Sequence, residues 1–121
     1  MREFVITYQG VGVSLNAWYS GSHWSKRTKL KAKYSTIFGN LFLEAGMHKG
    51  PKMDKFELHL IYNSLMDLDN VVAMAKIAVD TMKGRYVKED DKRFYRKLTI
   101  EPNEELKMNT YIFRIKEVDG K

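Results

Sequence analysis

Apolar side chains alternate with polar or small ones along residues 3–8. Phe4, Ile6 and Tyr8 fall on one side of an extended chain and Val5 and Thr7 on the other, which predicts a strand that Gly10 and Gly12 end. From Ser25 to Ala45 the period becomes helical. Leu30, Tyr34, Ile37, Phe38, Leu41 and Ala45 form one stripe, and Gly46 closes it. Alternation returns with Phe56, Leu58, Leu60 and Tyr62 against Glu57, His59 and Asn63. A second helical face follows in Val71, Val72, Met74, Ala75, Ala78, Val79 and Met82, with Asn70 as its expected cap and Gly84 as its stop. Phe94, Leu98 and Ile100 mark a third strand. Tyr111, Phe113 and Ile115, with Ile112 and Val118 on the other side, mark the last. The order βαβαββ predicts an α+β fold in two layers, with helices packed against a mixed or antiparallel sheet. A chain of 121 residues without a linker or repeat suits one domain, 1–121.

Composition narrows the chemistry. An aromatic content of 12% is too high for a disordered chain. With no cysteine, disulfides, thiolate zinc sites and cysteine nucleophiles are excluded, and a reducing cytoplasm suits the chain. No apolar run is long enough to span a membrane, and the N-terminus lacks the basic-then-apolar order of a signal peptide. A soluble protein of the cytoplasm is therefore expected. Twenty-one Lys and Arg against fifteen acids give +6, a balance that favours polyanionic partners. No glycine-rich phosphate loop is present, so nothing points to ATP.

The acids carry the sharper signal. Asp67 and Asp69 stand at i and i+2, and in extended backbone they point to one side. Lys76 follows Asp69 by seven positions, close to two helical turns, so both fall on one side of the second helix. Glu89, Asp90 and Asp91 form an acidic turn ahead of the third strand. The expected layout brings three carboxylates to one end of a helix, with an ammonium along its flank. Of the neighbours Asp90 and Asp91, only one is expected to point inward.

Asp67-Leu68-Asp69-Asn70, a helix with Lys76 and then Asp80, and the closing Asp90-Asp91 resemble the RusA family of Holliday junction resolvases. The segment from Ser14-Leu15-Asn16 to Arg27 resembles that family's Ser/Asn-rich, aromatic and basic stretch after its first strand, less specifically. The resemblance implies Asp67, Asp69 and Asp91 as Mg²⁺ ligands, with Mn²⁺ as a substitute, and Lys76 as the accessory catalytic lysine. It favours Asp91 over Asp90. One departure stands out: the family's lysine comes three residues after the Asn, and Lys76 comes six after Asn70. The extra turn moves the ammonium by about 4.5 Å along the axis.

The resemblance further implies a homodimer acting on branched DNA, four-way junctions above all, in a bacterial or phage-infected cell. Two symmetric strands to cut suit two equivalent sites. Two alternatives remain open: a nuclease for flaps or forks, and a basic DNA-binding module without catalysis. Lys26, Arg27, Lys29, Lys31 and Lys33 crowd the start of the first helix, where cations oppose the helix dipole, so a bound phosphate backbone explains them better than local stability. Arg85, Lys88, Lys92, Arg93 and Arg96 extend the expected DNA contacts. Trp18, Tyr19 and Trp24 suit base stacking or core packing equally. His23, His48 and His59 show no metal-ligand spacing.

Overall fold

A computed structural model describes the backbone of residues 1–13 and 24–118, and the side chains of 1–13 and 29–118. The elements are β1 (Glu3–Gln9), α1 (Trp24–Glu44), β2 (Lys55–Asn63), α2 (Leu68–Met82), β3 (Tyr95–Pro102) and β4 (Thr110–Val118). The expected α+β order holds, and the sheet is mixed. Its strand order is β1-β4-β2-β3, so the last strand is central. β4 runs antiparallel to both β1 and β2, and β2 is parallel to β3. Both helices are thus crossovers that start at the C-terminal end of one strand and return the chain to the start of another.

Alternation along the strands sorts the two faces. Ile6 and Tyr8, then Phe56, Leu58, Leu60 and Tyr62, then Tyr111, Phe113 and Ile115 are buried under the helices. The opposite face carries Glu57, His59, Lys97, Glu101, Arg114 and Lys116. Phe38 of α1 packs edge-on against Phe113 at 5.2 Å and tilted against Tyr8 at 5.6 Å, which pins that helix over the β1–β4 side. Phe42, absent from the expected stripe, is fully buried. α1 closes where Gly46 and Met47 return hydrogen bonds to Leu43 and Phe42, as the stop at Gly46 predicted.

α2 departs from a one-faced helix. Ala73, Ile77 and Thr81 are buried along with the expected residues, and Val72 is only half-buried. The helix packs against β3 on one side and α1 on another, and burial all round follows from that central place. Beyond the exposed Leu68 and half-buried Asn70 of the first turn, Asp69, Val72, Lys76, Asp80 and the C-cap Lys83 keep contact with solvent, at spacings that make one stripe. The cap differs from expectation too. Asp67 is the N-cap residue, extended at φ −70 and ψ 157, and Asn70 already lies in the first turn. Past the helix, Lys83 (φ −57, ψ 128) and Gly84 (φ +76) make a type II turn closed by Arg85 N–H on Met82 O at 3.0 Å.

Candidate functional site

β2 runs directly into the acid pair. At its end, Asn63 Nδ2 donates to Leu106 O at 2.6 Å, and Asn109 N–H donates to Asn63 O at 2.7 Å. The Ser64–Met66 bend is held by Met66 N–H on Ser64 Oγ at 3.2 Å and by the Tyr62 hydroxyl reaching Met66 O at 3.4 Å. Asp67 follows in extended backbone and Asp69 enters the helix, so the two acids do not share an extended segment as expected. Asp69 sits in the first turn, where the helix dipole favours a carboxylate. Asp67 occupies the cap position without using its side chain as a cap. Both acids are exposed, and among the described residues neither has an ion pair or side-chain hydrogen bond. They lie near the Tyr62 hydroxyl, whose pKa is pushed up by burial first and by Asp67 and Asp69 next. The hydroxyl stays protonated and able to donate.

Lys76 lies on the exposed stripe of α2 with Asp69, as its spacing predicted, and its ammonium is 3.8 Å from Asp80. Lys31 and Ser35 of α1 line a small cleft with Ile77, Asp80 and Thr81, so part of the cationic run on α1 borders the same side of α2. Lys29, Lys31 and Lys33 are exposed, and the Lys33 ammonium sits 5.6 Å from the centre of the Tyr34 ring. The side chains of Lys26 and Arg27, the Trp18, Tyr19 and His23 positions and the Trp24 ring lie outside the described residues.

Asp91 is elsewhere. β2 and β3 are parallel, with Phe56 beside Tyr95 and Tyr62 beside Pro102. Asp67 and Asp69 follow the Tyr62 end, and Asp91 precedes the Tyr95 end. The 15 residues of α2 separate the two ends by about 22 Å. The expected gathering of three carboxylates at one end of a helix does not occur within one copy of the chain. Among the described residues, no three His, Asp or Glu side chains are placed to hold one metal ion. The acid pair offers two carboxylates, short of the three-carboxylate set.

Asp91 is also engaged. Arg93 Nε and Nη2 donate to its Oδ1 and Oδ2 at 3.0 and 2.8 Å, and Arg93 N–H donates to Oδ1 at 2.9 Å. These bonds hold the Asp91 carboxyl well below the ordinary range, at about 2. Its neighbours Asp90 and Glu89 lie 3.5 and 3.0 Å from the Lys83 ammonium, whose pKa rises, chiefly through the Glu89 bond. Lys83 and the ion pairs around it were not singled out from sequence, since contacts across a turn leave no periodic trace. Of the other expected DNA contacts, Lys88 pairs with Asp54 at 3.6 Å and Arg93 with Asp91, while Arg96 donates to Lys92 O at 2.9 Å. Arg85, Lys88, Lys92, Arg93 and Arg96 are all exposed. His59 contacts Glu101 on the open sheet face, and His48 is exposed in a turn.

No protein-family model matches the chain, and no curated protein does either. No helix among the described residues is long and apolar enough to cross a membrane.

Proposed function

We propose that the chain is a Mg²⁺-dependent, structure-selective endodeoxyribonuclease that acts as a homodimer on branched DNA, four-way junctions first. The observation that carries this reading is the exposed pair Asp67 and Asp69 at the junction of β2 and α2, two acids with no ion pair or side-chain hydrogen bond among the described residues. A carboxylate pair exposed on a braced backbone suits a hard cation and a phosphate better than it suits stability. Lys76 shares the exposed stripe with Asp69, and the chain carries a net +6 for a polyanion. The motif's resemblance to the RusA family points the same way.

Homodimerisation answers the separation of Asp91. A two-fold axis crossing α2 near Lys76, the middle of its exposed stripe, sets the Asp67–Asp69 end of each copy against the Asp91 end of the other. The stripe reads Asp69, Lys76, Asp80, Lys83, so antiparallel pairing opposes Asp69 of one copy to Lys83 of the other. Asp67, Asp69 and the second copy's Asp91 are then the residues that would hold Mg²⁺. In that role Asp91 leaves Arg93, which is freed toward phosphate.

The test is cleavage of a labelled four-way junction in Mg²⁺, beside a flap and a linear duplex of equal length. Paired symmetric nicks in the junction, lost in Asp69→Asn, are the expected result. Preference for the flap changes the substrate, and unchanged cutting by Asp69→Asn removes the acids from the mechanism. A second reading, a basic DNA binder without catalysis, is favoured by the Asp91–Arg93 pair, which already satisfies one of the three acids. DNA binding that persists in a triple Asp→Asn variant, with no cleavage by the unmodified chain, selects it.

A further inference from the structure

Resting on the branched-DNA reading, we propose that Leu65 is a wedge that enters the base stack where the strands of a branched substrate part. Leu65 is 91% exposed, two residues before Asp67. A large aliphatic side chain held that far into water gains nothing for the fold. Single exposed apolar residues are ordinary, but Leu65 has company. Leu68, on the other side of Asp67, is 46% exposed. Gly10 N–H donates to Asn109 O, and Asn109 N–H to Asn63 O, so three chain segments meet at this end of the sheet. Val11 follows the first of them and Met108 precedes the second, and both are exposed.

The presentation is rigid. The Ser64–Met66 bend has the Ser64 and Tyr62 bonds described above, and the Met66 side chain packs against the core beneath it. Leu65 is thus an apolar tip on a braced support beside two carboxylates. Aliphatic side chains of this kind enter partly unstacked base steps in proteins that kink DNA, and the cost of unstacking is lowest where the helix is already interrupted. An intact duplex resists the same insertion. The apolar tip and the acid pair together then read a branch point and place the adjacent phosphodiester at Asp67 and Asp69.

The experiment uses the full chain without divalent ion and a four-way junction carrying 2-aminopurine at the crossover. Binding of the unmodified chain is expected to raise the fluorescence as the base unstacks. Leu65→Ser is expected to abolish that rise and to weaken junction binding by about tenfold, with affinity for linear duplex unchanged. Leu65→Phe is expected to keep both. The position is so exposed that neither substitution threatens the fold. A Leu65→Ser chain with the unmodified fluorescence rise and junction preference overturns the wedge. A Leu65→Ser chain that sediments as a monomer where the unmodified chain is a dimer overturns it too, and makes the tip a contact between copies. Absence of junction binding by the unmodified chain defeats the branched-DNA reading itself and the wedge with it, whereas junction binding without any fluorescence rise defeats the wedge alone.

Discussion

Arg93 grips the Asp91 carboxylate at both oxygens, with Nε and Nη2 at 3.0 and 2.8 Å and the Arg93 backbone N–H added on Oδ1. The pair joins the acid that the sequence motif offers as a ligand to the cation two residues on. It sits on the surface, so its consequence is a titration rather than a large gain in stability.

Asp91 should titrate at about 2 in the folded chain, against an ordinary 3.8, because the Arg93 bonds favour its charged form. A lowered folded value contributes stability above the unfolded pKa. That contribution disappears as pH falls from about 3.8 toward about 2. Carboxyl ¹³C shifts followed against pH should show the low midpoint, and Arg93→Gln should return it toward the ordinary range. A midpoint near the ordinary value in the unmodified chain contradicts the pairing.

Asp67→Asn and Asp69→Asn should each lower junction cutting by at least about a hundredfold. Neither should lower Tm appreciably, since both side chains are exposed and bonded to nothing among the described residues. Calorimetry beside the cleavage assay separates a lost site from a lost fold.

Mixing two inactive chains tests the shared site. In a dimer of Asp69→Asn with Asp91→Asn, one site combines both substitutions and the other carries neither. The mixture should recover cutting as unpaired nicks, where each variant alone is silent. Continued silence, with mixed dimers shown to form, places the three acids in separate roles.

Gly12→Ala should destabilise the chain by about 1–3 kcal/mol. A Cβ there collides with the hydroxyl of the fully buried Tyr111 and lies 2.8 Å from Cε of Met66, which is partly buried against the core. Tyr111→Phe in the same chain should recover part of the loss, because it removes the nearest obstacle. Gly84→Ala has nothing within 4 Å to meet, and its cost comes only from φ +76. Urea denaturation of the three variants orders these effects.

The periodic pattern alone determined most of the fold. Both helices, all four strands and their two-layer arrangement followed from side-chain spacing, because burial of one face is a local property of a strand or helix. The buried side chains Tyr62, Phe113 and Ile115 are where alternation put them. Asp67, Asp69 and Lys76 were legible as a motif because spacing along one helix is local too, whereas Asp91 was chosen over Asp90 only through the family resemblance. Tertiary structure decided the rest. Placing β4 between β1 and β2, and β3 parallel to β2, depends on long-range hydrogen bonding that leaves no periodic mark. That parallel pairing turns α2 into a crossover and carries Asp91 a whole helix length from Asp67, since a chain that must start a parallel strand has to return to the end where the last one began.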